Sequence, residues 1–112
     1  MIAKDVVICD WHYERPDQTA VYFAMKGFNV ITCPWRKPKI AVTQTQDMIR
    51  FRQTATKEMK PRYFGMMQTV WSGAGAFLDE YYGVKVNEKA GENTASNCFR
   101  TMFGEIKKIS EQ

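Results

Sequence analysis

The sequence predicts an α/β fold: three parallel strands with intervening helices, arranged like part of a TIM-type barrel, plus a C-terminal amphipathic helix. Two observations carry that expectation. Three short segments, Asp5 to Asp10, Phe28 to Cys33 and Tyr63 to Val70, are apolar over consecutive positions, as in strands covered on both faces. The stretches between them place apolar residues at helical spacing and are too long for hairpins. A parallel sheet with right-handed crossovers is the default topology for that order.

The first strand rests on Val6, Val7, Ile8 and Cys9, and Trp11 to Arg15 then reads as a polar and aromatic loop. Pro16 suits a first helical turn, and Ala20, Val21, Ala24 and Met25 recur at helical spacing before Gly27, a natural stop. After the second strand, Pro34 and Pro38 bracket a basic loop, Arg36-Lys37-Pro38-Lys39. A longer helix is expected from Thr43 to Lys60, closed by Pro61, with Met48, Phe51, Ala55 and Met59 on one stripe. The third strand leads through Ser72-Gly73-Ala74-Gly75 into a helix bearing Phe77, Leu78, Tyr81 and Tyr82 that stops at Gly83. Val84 to Asn93 is a polar loop. Asn93 or Thr94 caps a last helix whose Cys98, Phe99, Met102, Phe103, Ile106 and Ile109 form one face. Residues 1–112 are therefore one domain, with a barrel-like β/α segment at 5–83 and a loop and helix at 84–112. Three parallel strands leave open edges and apolar surface, so partner structure is expected from a second copy or from the remainder of a longer barrel.

Bulk composition excludes several classes of function. Hydrophobic residues at 45% and charged residues at 25% are ordinary globular values, while aromatics stand high at 13%. The net charge of +4 comes from residues 1–60, with ten basic and six acidic side chains against six of each beyond. That is no polyanion-binding run, and nucleic acid is not the expected partner. A single histidine, His12, and three cysteines without CxxC spacing argue against a metal site or disulfide framework. No metal or cofactor is expected, and the cysteines read as buried, reduced thiols. No 18-residue apolar run suggests a membrane span, and no charged-then-apolar leader begins the chain, so the sequence assigns no compartment.

All three tryptophans end one repeated pattern, Ile8-Cys9-Asp10-Trp11, Thr32-Cys33-Pro34-Trp35 and Gln68-Thr69-Val70-Trp71. On a strand, each tryptophan shares a face with the small residue two before it. Ligands of parallel sheets lie at the carboxyl ends of the strands, so three indoles there suggest one aromatic-lined site.

The segments Asp5-Val-Val-Ile-Cys-Asp-Trp-His-Tyr13, Gly27-Phe-Asn-Val-Ile-Thr-Cys-Pro-Trp35 and Phe64-Gly-Met-Met-Gln-Thr-Val-Trp-Ser72 resemble late strand ends of glycoside hydrolase family 20, the β-N-acetylhexosaminidases. The resemblance covers roughly residues 5–83. It implies a (β/α)8 barrel with a pocket for an N-acetylhexosamine-type sugar, walled here by Trp11, Trp35 and Trp71, in a parent family often secreted or periplasmic. The family's Asp-Glu pair has no counterpart at a strand end of this chain. Asp79-Glu80 lies within a helix, and Trp71 is followed by Ser72-Gly73 where many members carry Trp-x-Glu. The resemblance therefore implies a glycan-binding segment that does not hydrolyse alone.

Indoles pack against the C–H face of a pyranose while neighbouring polar groups take its hydroxyls, a task open to Asp10, His12, Tyr13 and Arg36. Asp10 and Glu14 are the carboxylates nearest a strand end and the candidates for catalysis, although Asp10 also suits a loop anchor and Glu14 a solvated surface. Cys33 with His12 as base would form a thiol nucleophile, but packing explains the cysteines more simply. Ser72-Gly73-Ala74-Gly75 follows a strand as phosphate loops do, yet lacks the third glycine and the lysine, so a tight turn is the better reading. Arg36, Lys37 and Lys39 beside Trp35 form the only patch suited to nucleic acid. A non-catalytic module that associates with itself or a partner is the alternative function.

Overall fold

The computed structural model describes residues 3–85 and 88–111 and is α/β, with strands β1 (Val7–Asp10), β2 (Asn29–Thr32) and β3 (Tyr63–Met66). Helices α1 (Thr19–Met25), α2 (Pro38–Thr54), α3 (Ala74–Tyr81) and α4 (Ala95–Ser110) complete it, with 3₁₀ turns at Lys60–Arg62 and Glu88–Ala90. Val86 and Asn87, in the expected polar loop, lie outside the described residues.

The sheet is wholly parallel in the order β1-β2-β3. Val7 to Asp10 pair with Asn29 to Thr32 in unbroken register, and a bulge at β3 sets Tyr63 beside Val30 but Gly65 beside Ile31. Each ladder is shorter than the apolar run that predicts it. The third differs most, stopping at Met66, although Met67 and Thr69 still donate backbone bonds to Thr32 and Pro34 at 3.0 and 2.8 Å. Pairing cannot be completed beyond Met66 because Pro34 has no N–H to return to β3, and Gln68 and Thr69 add side-chain bonds to the β2 loop instead.

Alternation divides the sheet into two unlike faces. Ile8, Val30, Tyr63 and Met66 meet Ala20 and Ala24 of α1 and Met48 and Phe51 of α2 in one core. Both crossover helices thus cover the same face, as in a singly wound sheet. The opposite face carries Val7, Cys9, Asn29, Ile31 and Gly65, with Val7 and Cys9 exposed. Cys9 is therefore not a buried thiol: among the described residues no helix packs over Val7 and Cys9 on that side of the sheet.

Two helix stops follow the sequence closely. After α1, Gly27 N–H donates to Ala24 O and Phe28 N–H to Phe23 O, at 3.1 and 3.0 Å. After α3, Gly83 N–H bonds Glu80 O and Val84 N–H bonds Asp79 O, at 3.2 and 2.8 Å. Both are paired C-terminal closures that require a left-handed residue, and Gly27 and Gly83 have φ of 92° and 75°. Within α1, Met25 is 66% exposed instead of core, because the inward stripe runs through Ala20, Phe23 and Ala24 and leaves Met25 beyond its edge.

The longer helix begins five residues earlier than Thr43. Pro38 occupies its first turn, where a missing N–H costs nothing, so the proline that marks a loop in sequence opens α2. The helix ends at Thr54, and Pro61 sits in the following 3₁₀ turn. Thr94 caps α4 by accepting the Asn97 N–H at 3.2 Å. Cys98 and Met102 bury against Ala41 of α2, while Phe103 on the same stripe is half exposed. The helix after β3 departs from a barrel unit, since α3 sets Phe77 and Tyr81 against Phe99 of α4.

Candidate functional site

The three tryptophans lie beyond the ladders, by one residue at Trp11, three at Trp35 and five at Trp71. Strand parity therefore does not place them; their loops do. They nevertheless converge on one ring. Tyr13 lies 5.4 Å from Trp11, 5.6 Å from Trp35 and 6.2 Å from Trp71 between ring centroids, edge-on to the last two. Trp71 Nε1 donates to the Tyr13 hydroxyl at 2.9 Å. Trp11 and Trp71 are 64% and 68% exposed, whereas Trp35 is half-buried.

A polar network fixes Tyr13 from below. Asp10, the last residue of β1, is only 5% exposed. Its Oδ1 accepts His12 Nδ1 at 2.8 Å and its Oδ2 accepts the Thr19 hydroxyl at 2.5 Å, while Thr19 Oγ1 also lies 3.2 Å from His12 Nδ1. With a carboxylate facing Nδ1, that nitrogen carries the proton and Nε2 is the basic one. From α2, Gln44 Nε2 donates to the His12 carbonyl at 2.7 Å. Both Asp10 oxygens are thus committed to holding the loop, the role of an anchor.

Glu14 is likewise engaged. Lys37 bonds one of its oxygens and Arg36 approaches the other at 3.9 Å. The hydrogen bond from Lys37 and the charges of Lys37 and Arg36 hold the Glu14 carboxyl below its ordinary value. Arg36 also stacks over Trp35, 4.4 Å from the ring centroid. Lys39 faces Glu92 at 3.6 Å, so every basic group of the Arg36-Lys37-Lys39 patch has an acidic neighbour. Internal pairing neutralises much of the charge that would attract a phosphate backbone.

Cys33 and His12 do not form a nucleophile pair. The Cys33 thiol turns to Ile31 O at 3.8 Å, and burial, with Cys9 and Asp10 nearby, pushes it up to about 12. A thiol so held stays protonated near neutral pH. Gly73 and Gly75 sit in open space at exposed positions, and Gly73 has an ordinary extended backbone, so neither crowding nor φ requires glycine there.

Several residues that shape the site escape a sequence reading. Gln68 donates to Trp35 O and Ala95 O at 3.0 and 2.7 Å, joining the β2 loop to α4. Thr69 donates its hydroxyl to Pro34 O at 3.1 Å. Gln44 had a visible signal: four residues before Met48, it is a polar side chain on the apolar stripe of α2. Thr19 had none, being one of many hydroxyls at a helix start. Beside the indoles, a small cleft of about 140 Å³ is lined by Trp35, Arg36, Ser72, Glu80, Asn93 and Thr94. Enclosed ligand pockets run to about 300 Å³ or more. The exposed rings therefore form an open platform and not a deep pocket.

No protein-family model matches the chain, and no curated protein matches it in sequence.

Proposed function

We propose that this chain binds a glycan on the Tyr13-centred platform, as a carbohydrate-active segment resembling part of a family 20 glycoside hydrolase barrel, without hydrolysing it alone. The observation that supports this reading is the pair of exposed indoles, Trp11 and Trp71, braced on Tyr13. A braced, exposed indole offers a flat apolar face with little further ordering to do, which suits the C–H face of a pyranose. Polar groups for the hydroxyls stand beside it in His12 Nε2, Arg36 and the Tyr13 hydroxyl. The carboxylates favour binding without cleavage, because a substrate-assisted reaction of the family 20 kind needs a Glu acid and an Asp that orients the sugar's acetamido group, while Asp10 and Glu14 are both tied into local pairs.

Titration with N-acetylglucosamine and its β-1,4-linked disaccharide, read by tryptophan fluorescence and by indole N–H shifts, tests the proposal. A saturable change at millimolar sugar is expected, weakened about 5-fold or more in Trp11→Ala and Trp71→Ala, the equivalent of about 1 kcal/mol of ring contact. A flat titration, or binding unaltered in both variants, would refute it.

A further inference from the structure

Cys9 and Cys33 stand at the same place in two of the tryptophan-ending segments, two residues before Trp11 and Trp35, and the sheet brings them together. In the parallel pairing of β1 with β2, Cys9 lies opposite Ile31. The Cys33 N–H donates to Asp10 O at 2.9 Å, carrying that pairing one step past the ladder. Because side chains alternate, Cys9, Ile31 and Cys33 share one face, the one turned away from α1 and α2. Cys33 is thus the diagonal neighbour of Cys9 across two adjacent strands. Its Sγ turns back along β2 and lies 3.8 Å from Ile31 O, at the level where Cys9 stands. After burial, Cys9 is the next largest influence raising the Cys33 thiol, as expected of two sulfurs within each other's reach.

The two thiols differ in access. Cys9 is exposed and Cys33 is buried beside it, while Cys98, the third cysteine, packs with Ala41 and Met102 in a separate cluster. A reagent from solution therefore meets Cys9 first and finds Cys33 as its neighbour. Strands about 4.8 Å apart that rise about 3.3 Å per residue set diagonal Cα atoms about 8 Å apart in a flat sheet. A disulfide takes up to about 6.8 Å, so closing this pair draws the end of β2 toward β1 by about 1 Å. Cys33, one residue past the end of β2, is placed to give that movement without parting the ladder. A bond closed under such a pull is strained and readily reduced, the character of a reversible link and not of a structural one.

We propose that Cys9 and Cys33 are a peroxide-sensitive pair that closes into a reversible disulfide within the chain. The Cys9 sulfur, as thiolate, attacks one oxygen of hydrogen peroxide; the O–O bond breaks and the departing hydroxide takes up a proton to become water. Cys9 is then a sulfenic acid. The Cys33 sulfur attacks the Cys9 sulfur, the S–O bond breaks, and the hydroxide leaves as a second water with the Cys33 proton. Two thiols and one peroxide thus give one disulfide and two waters, a two-electron oxidation of the pair. The second step is the slower, because the Cys33 thiol stays protonated near neutral pH. The link joins the ends of the two strands that lead to Trp11 and Trp35, and it does not depend on glycan binding.

Treatment of the folded full chain with hydrogen peroxide, then unfolding with free thiols blocked and peptide mapping without reductant, tests the proposal. A Cys9–Cys33 cross-linked peptide is expected, from a chain lighter by two hydrogen atoms, with Cys98 recovered as a free thiol. Dithiothreitol should restore Cys9 and Cys33. Because the map is read on the unmutated protein, it stands whether or not a Cys33 variant folds. In Cys33→Ser the Cys9 sulfenic acid has no partner, so its trapping by dimedone should rise about tenfold or more. In Cys9→Ser, Cys33 should stay reduced, since no exposed thiol begins the reaction. A cross-link between two chains through Cys9, or a Cys9–Cys98 peptide, overturns the proposal. So does a Cys9 that peroxide leaves unchanged, or one driven on to sulfinic acid as fast in the unmutated chain as in Cys33→Ser.

Discussion

Replacing Tyr13 tests whether the three indoles are held by one ring or merely lie near one another. Tyr13→Ala removes ring contacts at centroid distances of 5.4, 5.6 and 6.2 Å and the acceptor for Trp71 Nε1. Aromatic pairs contribute about 0.5–1.5 kcal/mol each beyond area burial. Because Trp11 and Trp71 are largely exposed, the lower end applies, and the three together come to about 1.5–2 kcal/mol. With a urea dependence of about 1–3 kcal/mol per molar, the unfolding midpoint should fall by about 1 M. Tyr13→Phe keeps the three ring contacts and loses only a water-accessible hydrogen bond, costing about 0.5 kcal/mol. Urea unfolding followed by near-ultraviolet circular dichroism separates the two variants. The alanine variant should lose most of the aromatic signal before unfolding, and the phenylalanine variant should retain it. Equal midpoints, or an alanine variant with an intact aromatic signal, would refute the idea that Tyr13 braces the platform.

The thiols and the helix stops give further measurable consequences. Burial pushes Cys33 and Cys98 up from 9.0 to about 12 and about 11. Since the folded values exceed the unfolded one, the stability from keeping both thiols neutral is complete below pH 9 and is lost as pH rises through 11 and 12. Cys33→Ala/Cys98→Ala should therefore show a flatter alkaline decline in thermal midpoint, and a parallel decline would contradict the assignment. In the dilute native chain at pH 8, iodoacetamide should modify Cys9 alone. Gly27→Ala and Gly83→Ala should each cost about 1–2 kcal/mol by forcing Cβ into the left-handed region. Gly75→Ala, at a position without such a φ, should be neutral or stabilising; equal losses at all three sites in thermal unfolding would count against the closures described.

What could be read from the sequence was whatever local chemistry fixes. Continuous apolar runs mark β1 and β2, glycines mark the ends of α1 and α3, and Thr94 marks the start of α4, each a short-range cause with a short-range signal. Errors came where long-range contacts override local preference. Pro38 has the same identity in a loop and in a first helical turn, and only the packing of Ala41 against Cys98 and Met102 decides between them. The run from Tyr63 extends to Val70 by composition, yet Gln68 and Thr69 bond carbonyls 33 and 35 residues earlier. Cys9 looks like a core residue because its own strand is apolar; its exposure depends on a covering layer that no residue of β1 encodes. For the site, the tryptophan repeat was visible, but the reason for its convergence was not, since it rests on Tyr13 and on loop carbonyls that carry no sequence mark.

Those loop carbonyls show how a platform can be rigid at the end of so short a sheet. Each loop bearing an indole or its brace is tied by a side-chain donor from a distant part of the chain. Gln44 of α2 holds the His12 carbonyl next to Tyr13, Gln68 holds the Trp35 carbonyl, and Thr69 holds Pro34 just before Trp35. Charged groups add further ties: Asp10 grips His12 and Thr19 together, and Glu14 beside Tyr13 pairs with Lys37 and Arg36 beside Trp35. These donors act on backbone, so they fix the loops while leaving the aromatic faces free. Surface loops ordinarily surrender conformational entropy when a ligand orders them, at about 1 kcal/mol or more per residue. Here the core bears much of that cost during folding, so ring contacts worth only a few kcal/mol can appear as affinity. The same reasoning separates the two exposed indoles: Trp11 adjoins the anchored Asp10, whereas Trp71 hangs from Thr69 through Val70 and depends on its bond to Tyr13.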